Sequence, residues 1–128
     1  MSTPVLLKSS SGIQTVLIES KLMSDRRRIF ITDEINADSA MDFFKQIMLL
    51  NLEDDKAPIS VLINTLGGEI DNRLLIYDCL VETKAPIRTF CSECAYSMGA
   101  VLFTCGQERF MFTHSKLMLT SLFLATRL

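Results

Sequence analysis

Residues 59–68 read ISVLINTLGG, and this stretch decides the fold. Its first five residues are rich in β-branched side chains and leucine, a pattern typical of a strand that is buried on both faces. Asn64 breaks the run, and Gly67 and Gly68 follow with the conformational freedom that a tight turn needs. The stretch therefore predicts a buried strand that ends in a glycine-rich turn.

Strands and helices alternate on both sides of this stretch. The predicted strands are 28–31, 59–63, 87–91, 110–112 and 117–119, and the predicted helices are 36–52, 70–83 and 97–105. Asn36 or Asp38 can cap the first helix, in which Ala40, Phe44 and Ile47 recur at helical spacing. Alternating elements of this kind form right-handed βαβ units, so we predict an α/β fold with a mostly parallel sheet.

Further patterns predict how these elements pack. The helix at 70–83 has apolar residues on more than one face, including Tyr77 and Val81 on the same face, which predicts a sandwiched helix. Residues 26–28 (RRR) are expected to be a solvated strand entrance or a subunit contact. Residues 1–25 are expected to form a mobile arm in which 13–18 can be extended. The residues predicted to pack in the core are Met41, Met48, Met111, Met118, Cys79 and Cys105.

The composition excludes several classes of function. The chain has 128 residues and a formal net charge of −2, so it offers no broad basic field to nucleic acid or anionic lipid. It has no apolar segment near the ~20 residues that span a bilayer, and no signal peptide is apparent. We therefore expect a cytoplasmic protein whose four cysteines are reduced. The mean hydropathy of +0.28 indicates burial against partner subunits.

Residues 95–100 (AYSMGA) contain the first candidate for chemistry, Ser97. Ser97 and the glycine turn both follow predicted strands, and ligand sites lie outside the carboxyl ends of parallel strands. The backbone N–H groups of Met98 and Gly68 are candidate donors to an oxyanion. The alternative is that the glycines form only a tight turn and that Ser97 is only a helix cap.

A serine nucleophile needs a base, and the sole histidine is His114. It lies in a predicted turn without a nearby carboxylate, which favours a surface or hydrogen-bonded loop histidine. Cys91 and Cys94 have C-x-x-C spacing, but no second pair exists to complete a zinc site. A redox pair is possible because a helix follows, although both cysteines fall at the predicted strand end.

Four segments follow one another along the chain: 63–68 (INTLGG), 76–78 (IYD), 95–100 (AYSMGA) and 115–119 (SKLML). In this order and spacing they resemble the proteolytic subunit family of the Clp protease, which are serine peptidases with a crotonase-like superfold. The resemblance implies stacked ββα and βαβ units, Ser97 as nucleophile, and an oxyanion hole made by the N–H groups of Gly68 and Met98. It implies no cofactor on this chain.

The resemblance also implies partners. Other proteolytic subunits would form a pair of heptameric rings around a degradation chamber, and an AAA+ unfoldase that binds ATP would feed them. The substrates would be unfolded polypeptides, with neither nucleic acid nor membrane involved.

The chain departs from the family pattern at several positions. Leu66 stands where the family usually has proline, and Glu69 stands where a small residue is common. Thr120 occupies the position of the family's catalytic histidine, and the chain ends at Leu128 before the family's aspartate and ring-to-ring helix. The resemblance therefore implies an incomplete domain at 26–119 that is inactive as written.

The tail at 120–128 (TSLFLATRL) fits no family pattern. Codons for this tail can be chosen so that restoring one base shifts the reading frame, and the shifted frame then encodes HEPLLGDEV, which begins with the missing histidine. The hypothesis is a frameshifted, truncated subunit, and the DNA after codon 119 tests it. An in-frame threonine codon with no family-type reading frame downstream would exclude it.

Three functions remain open. The first is a Clp-type serine endopeptidase subunit that lacks its base. The second is a non-catalytic paralogue that assembles with active subunits. The third is a crotonase-type acyl-CoA enzyme, which shares the pair of N–H donors but not the serine, so Ser97 favours the peptidase.

Overall fold

The computed structural model describes residues 3–32, 34–67 and 70–119, and of residues 70–73 only the backbone. These ranges contain seven strands and four helices. In chain order they are β1 (Pro4–Ser9), β2 (Gly12–Leu17), α1 (Ile18–Arg26), β3 (Arg28–Thr32), α2 (Ala37–Glu53), β4 (Ile59–Thr65), α3 (Ile70–Glu82), β5 (Ile87–Tyr96), α4 (Met98–Thr104), β6 (Glu108–Met111) and β7 (Lys116–Met118).

The main sheet has the order β3-β4-β5-β6, and β7 also pairs with β5. The first half of β5 pairs with β6 and its last three residues pair with β7, so β6 and β7 follow one another along the same edge. Each of these pairings is parallel. The predicted α/β fold with a mostly parallel sheet is therefore confirmed. The strands β1 and β2 form a separate antiparallel hairpin.

Helices α2, α3 and α4 bury one face of the strands β3, β4 and β5, whereas β6 and β7 are exposed. Alternate strand residues point to that face, and they share one core cluster with the helices. On the other face, Phe30, Leu62, Phe90 and Phe110 lie in register across four strands and are only half-buried or exposed. The prediction that the strand at 59–63 is buried on both faces is therefore wrong for one face.

The predicted helix at 36–52 is confirmed, with Asn36 as its cap. The Asn36 Oδ1 accepts the Ser39 N–H at 2.9 Å, and the Ser39 Oγ accepts the Asn36 N–H at 3.0 Å. Phe43, not the predicted Phe44, enters the core. Among the α3 side chains that the structure describes, those of Ile76 and Leu80 are buried.

Several apolar side chains predicted to be buried are exposed. Val81 is 54% exposed, so α3 is not sandwiched on every side. Met41, Met48, Met111 and Met118 are 45–50% exposed, because they lie on the outer face of α2 and on the β6–β7 edge of the sheet. Cys79 and Cys105 are partly buried against the core, as predicted.

The predicted arm at 1–25 contains regular structure. The extended stretch at 13–18 corresponds to β2, but the structure adds β1 and the helix α1. The hairpin side chains are mostly exposed, and its mobility stays a prediction. None of the helices in the described ranges is long and apolar enough to cross a membrane.

Arg27 corrects the prediction that 26–28 is simply a solvated strand entrance. It ends α1 in the left-handed region, with φ of 55°. Its guanidinium donates to four carbonyl oxygens at the end of α2 and in the loop before β4. The acceptors are Leu50 at 3.1 Å, Asp54 at 2.7 Å, Ala57 at 3.0 Å and Pro58 at 3.2 Å.

Candidate active site

Strand β5 leads into the candidate site and is longer than predicted. Its register against β4 shifts, because Ile63 lies opposite Cys91 whereas Thr65 lies opposite Ala95. This bulge contains the polar residues that suggested a strand end at 91. The Asn64 Oδ1 accepts the Cys94 N–H at 3.3 Å, so a side chain of β4 compensates for the interrupted ladder. The strand therefore continues to Tyr96.

Ser97 lies at the sharp turn between β5 and α4, as predicted. Its φ is 56° and its ψ is −121°, a conformation that a residue with a Cβ rarely adopts. Nucleophilic serines of α/β-hydrolases occupy strained strand-to-helix turns of this kind, where the Oγ is presented to substrate. Its side chain makes no capping hydrogen bond to α4. The backbone strain therefore has no explanation in helix capping.

Backbone hydrogen bonds hold Ser97 from two sides. Its N–H donates to the Met118 oxygen of β7 at 2.6 Å. Its own carbonyl oxygen accepts the N–H groups of Ala100 at 3.1 Å and Val101 at 3.4 Å. The next side chain, Met98, is 1% exposed and packs in the core. The turn is thus fixed by the sheet, the helix and the core together.

The glycine turn begins where β4 ends. The Thr65 Oγ1 accepts the Gly67 N–H at 3.0 Å, and Gly67 has φ of 109°, which glycine adopts without strain. The Gly67 oxygen accepts the Ile35 N–H at 3.2 Å, which ties the turn to the segment before α2. Gly68 and Glu69 lie outside the described residues, so the Gly68 N–H stays a predicted oxyanion donor.

The structure does not bring His114 to Ser97. His114 is exposed in the turn between β6 and β7, as predicted, and precedes Lys116, the residue that pairs with Cys94. His114 precedes Lys116 by two residues and Ser97 follows Cys94 by three, so the pairing register offsets His114 and Ser97 by about five residues, or roughly 16 Å of extended chain. A base must lie within roughly 3 Å of the serine oxygen to accept its proton. Thr120 lies outside the described residues.

The C-x-x-C cysteines contact different neighbours of β5. The Cys91 Sγ lies 3.8 Å from the Lys116 oxygen of β7, whereas the Cys94 Sγ lies 3.6 Å from the Asn64 Oδ1 of β4. Burial raises the pKa of the Cys91 thiol, and a thiol with a raised pKa is a poor nucleophile. This geometry does not favour a redox pair. Among the described residues, no three His, Cys, Asp or Glu side chains are grouped to hold a metal ion.

Sequence reasoning missed the roles of Asn64 and Thr65. From the sequence alone, both residues indicate only the break after a strand. A threonine two residues before a glycine is a recognisable signal for a side-chain-to-backbone turn. The contact between Asn64 and the β5 bulge has no such local signal, because it joins two strands.

Comparison with known proteins identifies the family of the chain. The family model described as Clp protease matches residues 10–125. The chain is also 35% identical over 123 residues to the ATP-dependent Clp protease proteolytic subunit 1 of Protochlamydia amoebophila (strain UWE25). That match covers 92% of this chain and 59% of the relative, so the chain spans less than two thirds of the relative's length. On these grounds the chain belongs to the Clp protease family.

Proposed function

We propose that the chain is a Clp-type serine endopeptidase subunit in which Ser97 is the nucleophile. The observation that carries the proposal is the positive φ of Ser97 at the end of β5. Residues held in sparsely populated backbone conformations cluster at active sites and other functional positions. Family membership favours this reading over an acyl-CoA enzyme of the crotonase type.

In the proposed reaction the Ser97 Oγ attacks the carbonyl carbon of a peptide bond. The carbonyl oxygen gains negative charge, and the backbone N–H groups of Met98 and Gly68 donate hydrogen bonds to it. The N–H that follows a nucleophile in such a turn is a usual donor. Each donor of this kind contributes on the order of 10²- to 10³-fold in rate.

The sequence has no histidine at the position that the family resemblance assigns to the base of Ser97. His114 is too far along the sheet, and the position that the family resemblance assigns to the base holds Thr120. A threonine hydroxyl does not accept a proton near neutral pH. We therefore propose that the printed chain turns over very slowly, as residual catalysis from binding and oxyanion contacts alone. The same slow turnover is expected if the chain is a non-catalytic subunit that assembles with active ones.

We also propose that the chain has the partners that the family resemblance implies and a cytoplasmic location. The relative is named as an ATP-dependent proteolytic subunit. Subunit rings are supported by the half-buried and exposed apolar residues on the second sheet face, and a cytoplasmic location by the four free thiols in the described ranges. An unfoldase that binds ATP would deliver unfolded polypeptides.

Covalent labelling tests the proposal. The Thr120→His chain is treated with a fluorophosphonate probe, and Ser97→Ala in the same background is the control. We expect the adduct on Ser97 in the first chain and none in the second. An acyl-CoA site would ignore the probe, so a Thr120→His chain that stays unlabelled while binding an acyl-CoA would contradict the peptidase assignment.

A further inference from the structure

We propose that Thr65 is a positioning residue that sets the spacing between the glycine turn and the serine turn. The inference rests on the proposed function of Ser97. Thr65 is the last residue of β4 and is 2% exposed. Within the described part of the chain the fully buried polar residues are Thr65 and Thr89. A buried hydroxyl is retained in a core when it makes hydrogen bonds there.

The hydroxyl of Thr65 contacts both ends of Gly67. The Oγ1 accepts the Gly67 N–H at 3.0 Å and donates to the Gly67 oxygen at 3.3 Å. The same oxygen accepts the Ile35 N–H, so its direction is held from two sides. In a planar trans peptide the carbonyl and the following N–H point in opposite directions. We therefore expect the hydrogen bonds on the Gly67 carbonyl to restrict the direction of the N–H that follows it in the chain, the proposed oxyanion donor.

The methyl of Thr65 contacts the serine turn. A Cβ placed on Gly99 would lie 2.8 Å from the Thr65 Cγ2 and 3.4 Å from the Thr65 oxygen. Gly99 lies in the first turn of α4, two residues after Ser97. Thr65 also pairs with Ala95, two residues before Ser97. One side chain therefore contacts both halves of the proposed site, the hydroxyl on one and the methyl on the other.

Two substitutions separate these contacts. Thr65→Val keeps the bulk of the side chain and removes the hydroxyl, whereas Thr65→Ser keeps the hydroxyl and removes the methyl. Thr89→Val is the matched control, because Thr89 is 0% exposed and its Oγ1 donates to the Phe103 oxygen at 2.6 Å. Both valine variants lose buried side-chain hydrogen bonds, but only one of them adjoins Ser97.

The first measurement is the rate at which a fluorophosphonate labels Ser97 in the full 128-residue chain carrying Thr120→His. We expect Thr65→Val to lower this rate on the order of 10²-fold, the effect of a misplacement of about 1 Å. Thr65→Ser should recover most of the rate, and Thr89→Val should match the parent. Equal rates in Thr65→Val and Thr89→Val would overturn the proposal.

The second measurement does not depend on reactivity. Backbone amide resonances of Gly67, Ser97 and Met98 are recorded for the same variants without the probe. We expect Thr65→Val to shift all three and Thr89→Val to leave them unchanged. If the Thr120→His parent is not labelled, the proposed function fails. The amide shifts then decide the positioning role, and unshifted Ser97 and Met98 resonances would overturn it.

Discussion

The strain at Ser97 predicts that removing its Cβ stabilises the fold. With φ of 56°, a residue that carries a Cβ is destabilised by about 1–3 kcal/mol, and glycine is not. Glycine has more freedom to lose on folding, which opposes this gain by roughly 0.5–1 kcal/mol. Ser97→Gly should therefore be about 1 kcal/mol more stable than Ser97→Ala. Both variants lack the Oγ, so their difference reports the backbone alone.

Urea denaturation of the two variants measures this difference, and thermal melting provides a second value. For a chain of this length, 1 kcal/mol corresponds to a shift in melting temperature of about 4 °C. Equal stability of the two variants, or a more stable alanine variant, would refute the reasoning, because the turn would then not be strained.

Three further predictions concern stability and local packing. Arg27→Met should destabilise the fold by about 2–4 kcal/mol, because it removes the charged donor from four carbonyl oxygens. The control is Arg26→Met at an exposed position, which should change the unfolding free energy by less than about 0.5 kcal/mol. Gly99→Ala should destabilise the fold, because the new Cβ would lie 2.8 Å from the Thr65 methyl. Replacing glycine by alanine in a helix normally stabilises by roughly 0.5–1 kcal/mol. A more stable Gly99→Ala variant would therefore show that the two turns are not in close contact. Burial raises the pKa of Cys105 from 9.0 to about 11, so the unfolded state loses this proton first and stability should fall as pH rises from about 9 to 11. Cys105→Ala should remove that part of the pH dependence in urea titrations, and an unchanged profile would contradict the pKa shift.

Local sequence signals predicted much of this fold. The cap at Asn36, the alternation of strands and helices, and the turn at Ser97 each depend on residues close together in the chain. Helical spacing also located the buried side of α2, but it could not choose between Phe43 and Phe44. These neighbours lie about 100° apart on the helix, and the position of the sheet decides which of them is buried.

The missed features depend on contacts between distant segments. The polar residues before Cys94 resemble a strand end, and only Asn64 on the neighbouring strand allows β5 to continue through them. The methionines on α2 and at the sheet edge are apolar yet exposed, and hydropathy alone does not separate such residues from core residues. The φ of Ser97, on which the site depends most, has no sequence signature at all.

The central claim, that Ser97 is a nucleophile without its base, is tested most directly by intact-mass time courses with a fluorophosphonate. The printed chain is compared with Thr120→His under identical conditions. A general base at position 120 should accelerate the labelling of Ser97 by about 10²–10⁴-fold. Faster labelling of Ser97 in Thr120→His is the predicted result. Equal rates in the two chains, or adducts on other serines only, would contradict the claim.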